Sequence, residues 1–586
     1  MPFGKPKSDS QGAAWSRLLC SLLLLMLAIP AFAGGPQSFS DSGQTKLAMQ
    51  RMSNDLQAFG KKNSGGLVTV IVQFKNSPDS SALFSLKNGG GAVQKQFTAI
   101  HAVTLRLPAS MLAQLANNPR VNYITPDRAV QLTADENYDT AVESDMAAAQ
   151  YAMDGTGVGV AVIDSGVSDH PDLHNASGAS RVVYSESFVA GDTTTADGYG
   201  HGTHVAGLIA GNGASSTLGK GYARQYGGMA PGVSIVNLRV LDKNGCGTDA
   251  QVIAAIQRAI ALQSVYNIRV INLSLGRQVY ESYTLDPLDQ AVESAWRAGI
   301  VVVTAAGNSG RDNSLKTHGF ATIGAPGNDP AVVTVGATRT RGTDDRTDDV
   351  IASYSSKGPT LLDHIVKPDL VAPGNRIVSL RAAGSTLDKK YSSQDVKSSD
   401  GSSAYYRLSG TSMATPLVAG TVALMLQKDS TLTPDQVKAR LLKTAWKGFS
   451  TYSTAVDESG NSYNDQYDIF TYGAGYLDVD SVLGSTDRSA GVALSPSVTY
   501  DPSTGNVYWV NTNSVIWGNS VVWGNSVVWG NSVVWGNSVI WGNSVIWGNS
   551  VVWGSSTVDG FSVVWGNSLP ANGGMVALSN GEDGED

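Results

Sequence analysis

Cysteine is nearly absent from this chain. Its 586 residues include two, Cys20 and Cys246. That excludes a disulfide scaffold and any zinc or iron–sulfur site built from cysteines. Charge is scarce as well: Asp, Glu, Lys and Arg make up 15% of the residues, against about 25% in an average soluble domain. The net charge of −8 argues against nucleic acid as a partner, which calls for a basic surface. The apolar run near the N-terminus, Leu18 to Ile29, falls short of the about 20 residues that a membrane span needs. No integral membrane span is expected. The length, in contrast, is ample: at about 150 residues per domain it suggests about four units and at least one large core.

That N-terminal run has the features of an export leader. Lys5, Lys7 and Arg17 precede it, and Ala31-Phe32-Ala33 follows as a small-x-small cleavage site. Cys20 opens the run rather than ending it, which does not suit a lipidated cysteine at the cleavage point. The mature chain is expected to begin near Gly34, outside the cytoplasm. It then keeps only Cys246 and cannot form an internal disulfide.

Four segments follow from changes in texture: a leader, 1–33; a small unit, 34–133; a large unit, 134–485; and a tail, 486–586. In the second, Leu67–Phe74, His101–Leu107 and Val121–Ile124 read as strands, with a short helix opening at Pro108. These make a small α+β domain at about 66–131. An acidic, Ala-rich arm follows at 134–150. From Gly157 onward, apolar β-rich runs alternate with helical stretches. The runs are Val158–Ile163, Val233–Val240, Ile268–Leu273, Ile300–Val303 and Ala331–Val335; Gln251–Gln263 and Pro287–Arg297 read as helices. The pattern predicts an α/β domain with a buried parallel sheet in three layers.

The last segment changes again. From Ser489 to Asp586 there is no Lys, Arg or His. Trp-Gly-Asn-Ser-Val-Val/Ile repeats there at Trp517, Trp523, Trp529, Trp535, Trp541, Trp547 and Trp553, with a further copy at Trp565. An even period places every Trp on one side of an extended strand. A β-rich stack, attachment to a cell surface and aggregation-prone disorder all fit this pattern.

Three short motifs carry chemistry. The first apolar strand of the α/β unit ends on Asp164-Ser-Gly, where open parallel sheets place ligands. Taken alone, Asp164 also suits a turn. Gly200-His201-Gly-Thr-His204-Val-Ala-Gly opens a helix. Two histidines at i and i+3 could share a metal, but no acidic or cysteine cluster surrounds them. Gly410-Thr-Ser412-Met-Ala-Thr-Pro416 leads into an apolar helix. Ser412 there suits an N-cap, or a nucleophile whose oxyanion would meet free backbone N–H groups. A serine hydroxyl needs a base, His is that base near neutral pH, and a carboxylate orients the His.

Together and in this order, the three motifs closely resemble those of the subtilisin-like serine peptidases. Ala305-Ala-Gly-Asn308-Ser-Gly and Lys367-Pro-Asp-Leu-Val-Ala-Pro-Gly374 also resemble that family, over about 150–483. The resemblance implies a secreted endopeptidase with Asp164, His201 (rather than His204) and Ser412 as triad and Asn308 in the oxyanion hole. Protein or peptide substrates would pair along Gly245, Cys246 and Gly247 on one side and Ser274, Leu275 and Gly276 on the other. Gly324 would floor a roomy P1 pocket that suits large apolar residues. No catalytic cofactor is implied. Structural calcium is, with Asp172 as a ligand, although the loop from Asn212 to Gly228 has no Asp or Glu.

The small unit resembles the family's inhibitor propeptide, of ferredoxin-like α+β type. It would serve as an intramolecular inhibitor whose end, Asp127 to Thr133, blocks the groove until self-cleavage between about Gln131 and Glu136. We expect a monomer. A rival reading makes the chain a surface protein whose peptidase fold only carries the repeats; a peptide ligase or dedicated processing enzyme would use the same site.

Overall fold

The computed structural model describes residues 50–62, 66–80, 83, 84, 86, 91–132, 151–314, 317–341, 343, 346–450, 452–456, 461–501 and 506–509. The leader, the 134–150 arm and the tryptophan repeats lie outside these residues.

The small unit holds helix α1 (Asn54–Lys62) and four strands: β1 (Leu67–Phe74), β2 (Ala92–Phe97), β3 (Ala102–Pro108) and β4 (Val121–Pro126). Their order is β2-β3-β1-β4, all antiparallel, the strand order of a ferredoxin-like sheet. The sequence reading misses β2 because it lies at the sheet edge and is mostly solvent-facing, with Gln94, Lys95 and Gln96 along it. Val70, Val72, Leu105 and Ile124 form the core with Leu56 of α1 and Leu112 of α2 (Leu112–Ala116).

The large unit is built on a sheet ordered β14-β13-β12-β10-β6-β8-β7, with β15 also on β13. The members are β6 (Gly159–Asp164), β7 (Val182–Ser187), β8 (Ser234–Arg239), β10 (Ile268–Leu273), β12 (Val301–Ala305), β13 (Val333–Arg339), β14 (Val350–Ile351) and β15 (Leu370–Pro373). Every pairing is parallel except β13 with β14. β6 is buried along its whole length, as a strand covered on both faces must be, which is why it reads as a continuous apolar run.

Four helices cover the sheet as two packed pairs, α3 (His201–Ala210) with α6 (Thr411–Lys428), and α4 (Asp249–Tyr266) with α5 (Pro287–Arg297). Local sequence sets their starts. Thr248 and Gln251 form a capping box at α4, and Asp286 caps α5 ahead of Pro287. α6 is buried almost throughout, from Thr411 to Leu426. The packed body runs past residue 485, the boundary expected from composition. Ala493 and Val498 are fully covered, and Ser495 joins the buried Lys438 and Asp369.

Candidate active site

β6 delivers Asp164 to the carboxyl edge of the sheet. Its Oδ1 accepts the Ser165 N–H at 2.7 Å. The same carboxylate stands 2.9 and 3.0 Å from Nδ1 of His201. His201 is the first residue of α3, and the helix can come this close only because Gly202 follows. A Cβ there would sit 2.2 Å from the Gly166 carbonyl oxygen and 3.1 Å from Asp164 Oδ1. Asp197, which the sequence reading passes over, anchors the helix start. It accepts from the amides of Gly200 (2.7 Å) and Thr203 (2.8 Å) and from the Ser165 hydroxyl (2.8 Å). No capping rule would have found it, since the cap position is Gly200 and Asp197 lies three residues earlier.

The two histidines of the motif part ways. His204 faces the core, its Nε2 shared between the carbonyls of Ile377 and Tyr406, both at 3.1 Å. Burial above all, and then nearby His201, push its pKa down to about 3. It is a neutral packing residue rather than a second base or a metal ligand.

Ser412 stands in the first turn of α6, and Ser274 meets it twice. Ser412 Oγ donates to the Ser274 carbonyl oxygen at 3.0 Å, and Ser274 Oγ donates to the Ser412 carbonyl oxygen at 2.8 Å. The sequence reading gave Ser274 a groove role only. Asn308 has one orientation. Its Oδ1 accepts from the backbone N–H and the hydroxyl of Thr411, both at 2.9 Å. A backbone N–H can only donate, so the amide oxygen faces Thr411 and Nδ2 points away. Asn308 Nδ2 and His201 Nε2 are both buried, and neither has a hydrogen-bond partner among the described residues.

The groove is already filled. Strand β5 (Ala129–Leu132) lies antiparallel between β9 (Cys246–Thr248) and β11 (Leu275–Gly276). Val130 pairs with Gly247, Gln131 with both Cys246 and Gly276, and Leu132 with Leu275. Gly245 closes the turn into β9 with its N–H on the Asp242 carbonyl oxygen (3.0 Å). His201 and Ser412 are fully covered.

Beside Asn308 lies an open pocket whose walls include Leu275, Gly276, Ala305, Ala306 and Gly324. A Cβ on Gly324 would stand 2.7 Å from the Arg277 carbonyl oxygen, so the glycine lets two backbones meet at this wall. Arg277 borders the pocket too, but its guanidinium is held by Asp249 (2.8 Å) and Asp286 (2.7 Å). The Ala305–Gly307 wall and Thr322 were not anticipated from the sequence.

Asp172 does not sit as a calcium ligand would. It is buried, with Oδ1 taken by the Ser215 N–H (2.8 Å) and Oδ2 by the Tyr405 hydroxyl (2.5 Å). Tyr405 packs against Tyr222 and Tyr226 at centroid distances of 5.1 and 4.8 Å. These two rings come from the loop that lacks acids, and they fill the place with aromatic carbon. No cluster of three or more His, Cys, Asp or Glu suited to a metal occurs among the described residues. The expected ligand set therefore does not fit calcium at Asp172. A hydroxyl donor does the work instead, since a buried carboxylate needs one. Tyr405→Phe should lower unfolding stability by about 1–3 kcal/mol, measured by urea denaturation in a Ser412→Ala background to prevent self-digestion. An unchanged midpoint would sink this account.

Comparison with known proteins bears on the whole arrangement. The profile of the subtilase family matches residues 155–475. The chain is 38% identical over 401 residues to serine protease AprX of Bacillus subtilis (strain 168), covering 65% of this chain and 84% of that protein. It is 34% identical over 446 residues to subtilisin E of the same organism, covering 74% of this chain and 94% of that protein. Among solved structures, fervidolysin from Fervidobacterium pennivorans, a keratinolytic enzyme related to subtilisin, superposes with a TM-score of 0.54 at 23% identity. That match covers 76% of this chain and 68% of fervidolysin, and shows likeness of fold.

Proposed function

The chain belongs to the subtilase family and is a subtilisin-like serine endopeptidase, and from that premise we propose the roles of its residues and the way it is switched on. Ser412 Oγ attacks a peptide carbonyl while His201 Nε2 takes its proton. Asp164 holds Nδ1–H and so keeps Nε2 free to act as base. The oxyanion settles between Asn308 Nδ2 and the Ser412 N–H at the start of α6. His201 returns the proton to the leaving amine, and water then frees the acyl group from Ser412 by the same route.

One observation carries this reading: two buried nitrogens, His201 Nε2 and Asn308 Nδ2, have no partner among the described residues, and Asn308 is anchored to Thr411, the residue next to Ser412. Buried polar atoms are normally satisfied, and a reacting serine with its oxyanion would satisfy both. Ser412 Oγ must leave the Ser274 carbonyl to reach His201, the kind of tightening expected when substrate binds. Asn308→Ala should lower kcat about 10²–10³-fold and change KM little. That size is the one measured for the corresponding asparagine of subtilisin itself. A loss under threefold in steady-state assays would remove Asn308 from the oxyanion hole.

The same proposal makes residues 34–133 a propeptide and β5 its blocking end. In support, β5 runs as an extended peptide hydrogen-bonded on both sides, the way an endopeptidase reads a substrate. Self-cleavage between about Gln131 and Glu136 would release it. The leader at 1–33 supports export. No helix among the described residues is long and apolar enough to cross a membrane. The pocket walled by Leu275, Ala305 and Ala306, with no unpaired charge, supports large apolar P1 residues. Members of the family generally bind structural calcium; Asp172 is not where this chain would hold it.

N-terminal sequencing of the secreted enzyme tests the switch. A start between residues 131 and 136 is expected. A start near Gly34 on an active enzyme would refute the propeptide reading.

A further inference from the structure

Beyond the triad and the P1 pocket, the structure holds a charged site at the far end of the groove. Arg128 stands immediately before β5, and its carbonyl oxygen accepts the Asp249 N–H at 2.8 Å. The groove's backbone ladder therefore reaches Arg128, which is displayed as a substrate residue would be. Its guanidinium is buried and doubly forked. One fork goes to Asp55 (3.0 and 3.0 Å) and the other to Glu281 (2.5 and 2.6 Å). The plane of charge lies over the Tyr280 ring, 4.7 Å from its centroid.

The two carboxylates have different fates. Asp55 belongs to the small unit and leaves with it. Glu281 and Tyr280 belong to the peptidase body and stay. Around them, Arg277 is already committed to Asp249 and Asp286. Loss of the small unit thus leaves Asp249, Asp286 and Glu281 with the single guanidinium of Arg277 among them. In the unprocessed chain burial pushes Glu281 up to about 7 even with Arg128 beside it, so a peptide that covers Glu281 again is favoured when it brings a cation.

We propose that Glu281 and Tyr280 form a guanidinium-binding subsite of the processed enzyme, which selects peptide substrates with arginine four residues upstream of the residue that takes the place of Leu132. This rests on the propeptide reading above, since it treats the segment ending in β5 as a stand-in for substrate. An arginine offers the planar fork and the ring-stacking face at once; lysine offers neither fork nor stacking plane.

The test uses processed wild-type enzyme and quenched fluorescent peptides spanning residues 124–136. One keeps Arg128; two others carry Arg128→Lys and Arg128→Gln. Mass spectrometry fixes the cleaved bond in each. The arginine peptide should exceed the glutamine peptide in kcat/KM by tenfold or more, on the order expected for a charged hydrogen-bonded pair. Lysine should fall between them. In Glu281→Gln enzyme the arginine-to-glutamine ratio should collapse toward one. Equal kcat/KM for the arginine and glutamine peptides on wild-type enzyme would overturn the subsite, even if the Glu281 variant fails to fold. Failure of the propeptide reading looks different: the secreted enzyme would start near Gly34, or the peptides would be cut away from the 131–136 stretch.

Discussion

Ser412→Ala is expected to give a chain that keeps its N-terminal segment and neither processes itself nor digests casein. In the structure Ser412 is the one hydroxyl in the first turn of α6 that also touches the Ser274 wall of the groove. No neighbour can replace its oxygen, because Thr411 is turned to Asn308 instead. The rate of self-cleavage, followed by intact mass on isolated proform, should fall about 10⁶-fold. That figure is the one measured for the catalytic serine of subtilisin itself rather than a product of these distances. The wild type should lose its N-terminal segment within the same experiment. Should both chains be processed alike, maturation is performed by another peptidase, and intramolecular cleavage at the β5 end is wrong.

Asp164→Asn is expected to be the second largest loss, on the order of 10⁴-fold in the same self-cleavage rate, the size known for this substitution in other serine-peptidase triads. The reason can be read from the contacts. The Ser165 N–H donates to Oδ1 at 2.7 Å, so an asparagine there keeps its oxygen at Ser165. Its NH₂ then takes the place of Oδ2, 3.0 Å from His201 Nδ1. That NH₂ opposes an Nδ1–H, while the retained oxygen, 2.9 Å away, no longer carries the charge that held it, so the balance shifts toward an unprotonated Nδ1 and a protonated Nε2. The imidazole is then present in the wrong tautomer and cannot accept from Ser412. The overall shape should be kept, since asparagine is isosteric with aspartate. A loss below about 30-fold, with unfolding stability unchanged, would show that Asp164 only fills space.

These two losses rest on residues that were legible before any coordinates. Asp164, Ser412 and a histidine of the 201–204 pair were nameable from residue type and order, while Asn308 and the choice of His201 over His204 came from the family resemblance. Gly202 is needed for close approach to Asp164, and Asn308 sits in a run of small residues. The buried strands β6, β8, β10 and β12 were legible for a related reason: a strand covered on both faces carries an unbroken apolar run. β2 was not, since an edge strand facing solvent has no such run; β9 and β11, too short for any period to show, were expected only from the family resemblance. The choice of Asp172 as a calcium ligand failed for a different reason. The residue that satisfies it, Tyr405, lies 233 positions away, and no local pattern reveals a partner that distant.

The sequence alone thus determined the α/β class of the large unit and the motifs on which the proposed triad rests, because those depend on local spacing and on residue type. Only the tertiary structure decided what depends on distant segments meeting. It turned His204 into the core and His201 toward Asp164. It aimed Asn308 Nδ2 away from Thr411, laid Ala129–Leu132 between two strands far along the chain, and brought Asp55, Arg128 and Glu281 to one point. Charge pairs and groove pairings of that kind are set by three-dimensional proximity, and proximity between residues dozens to hundreds of positions apart leaves no trace in a single sequence.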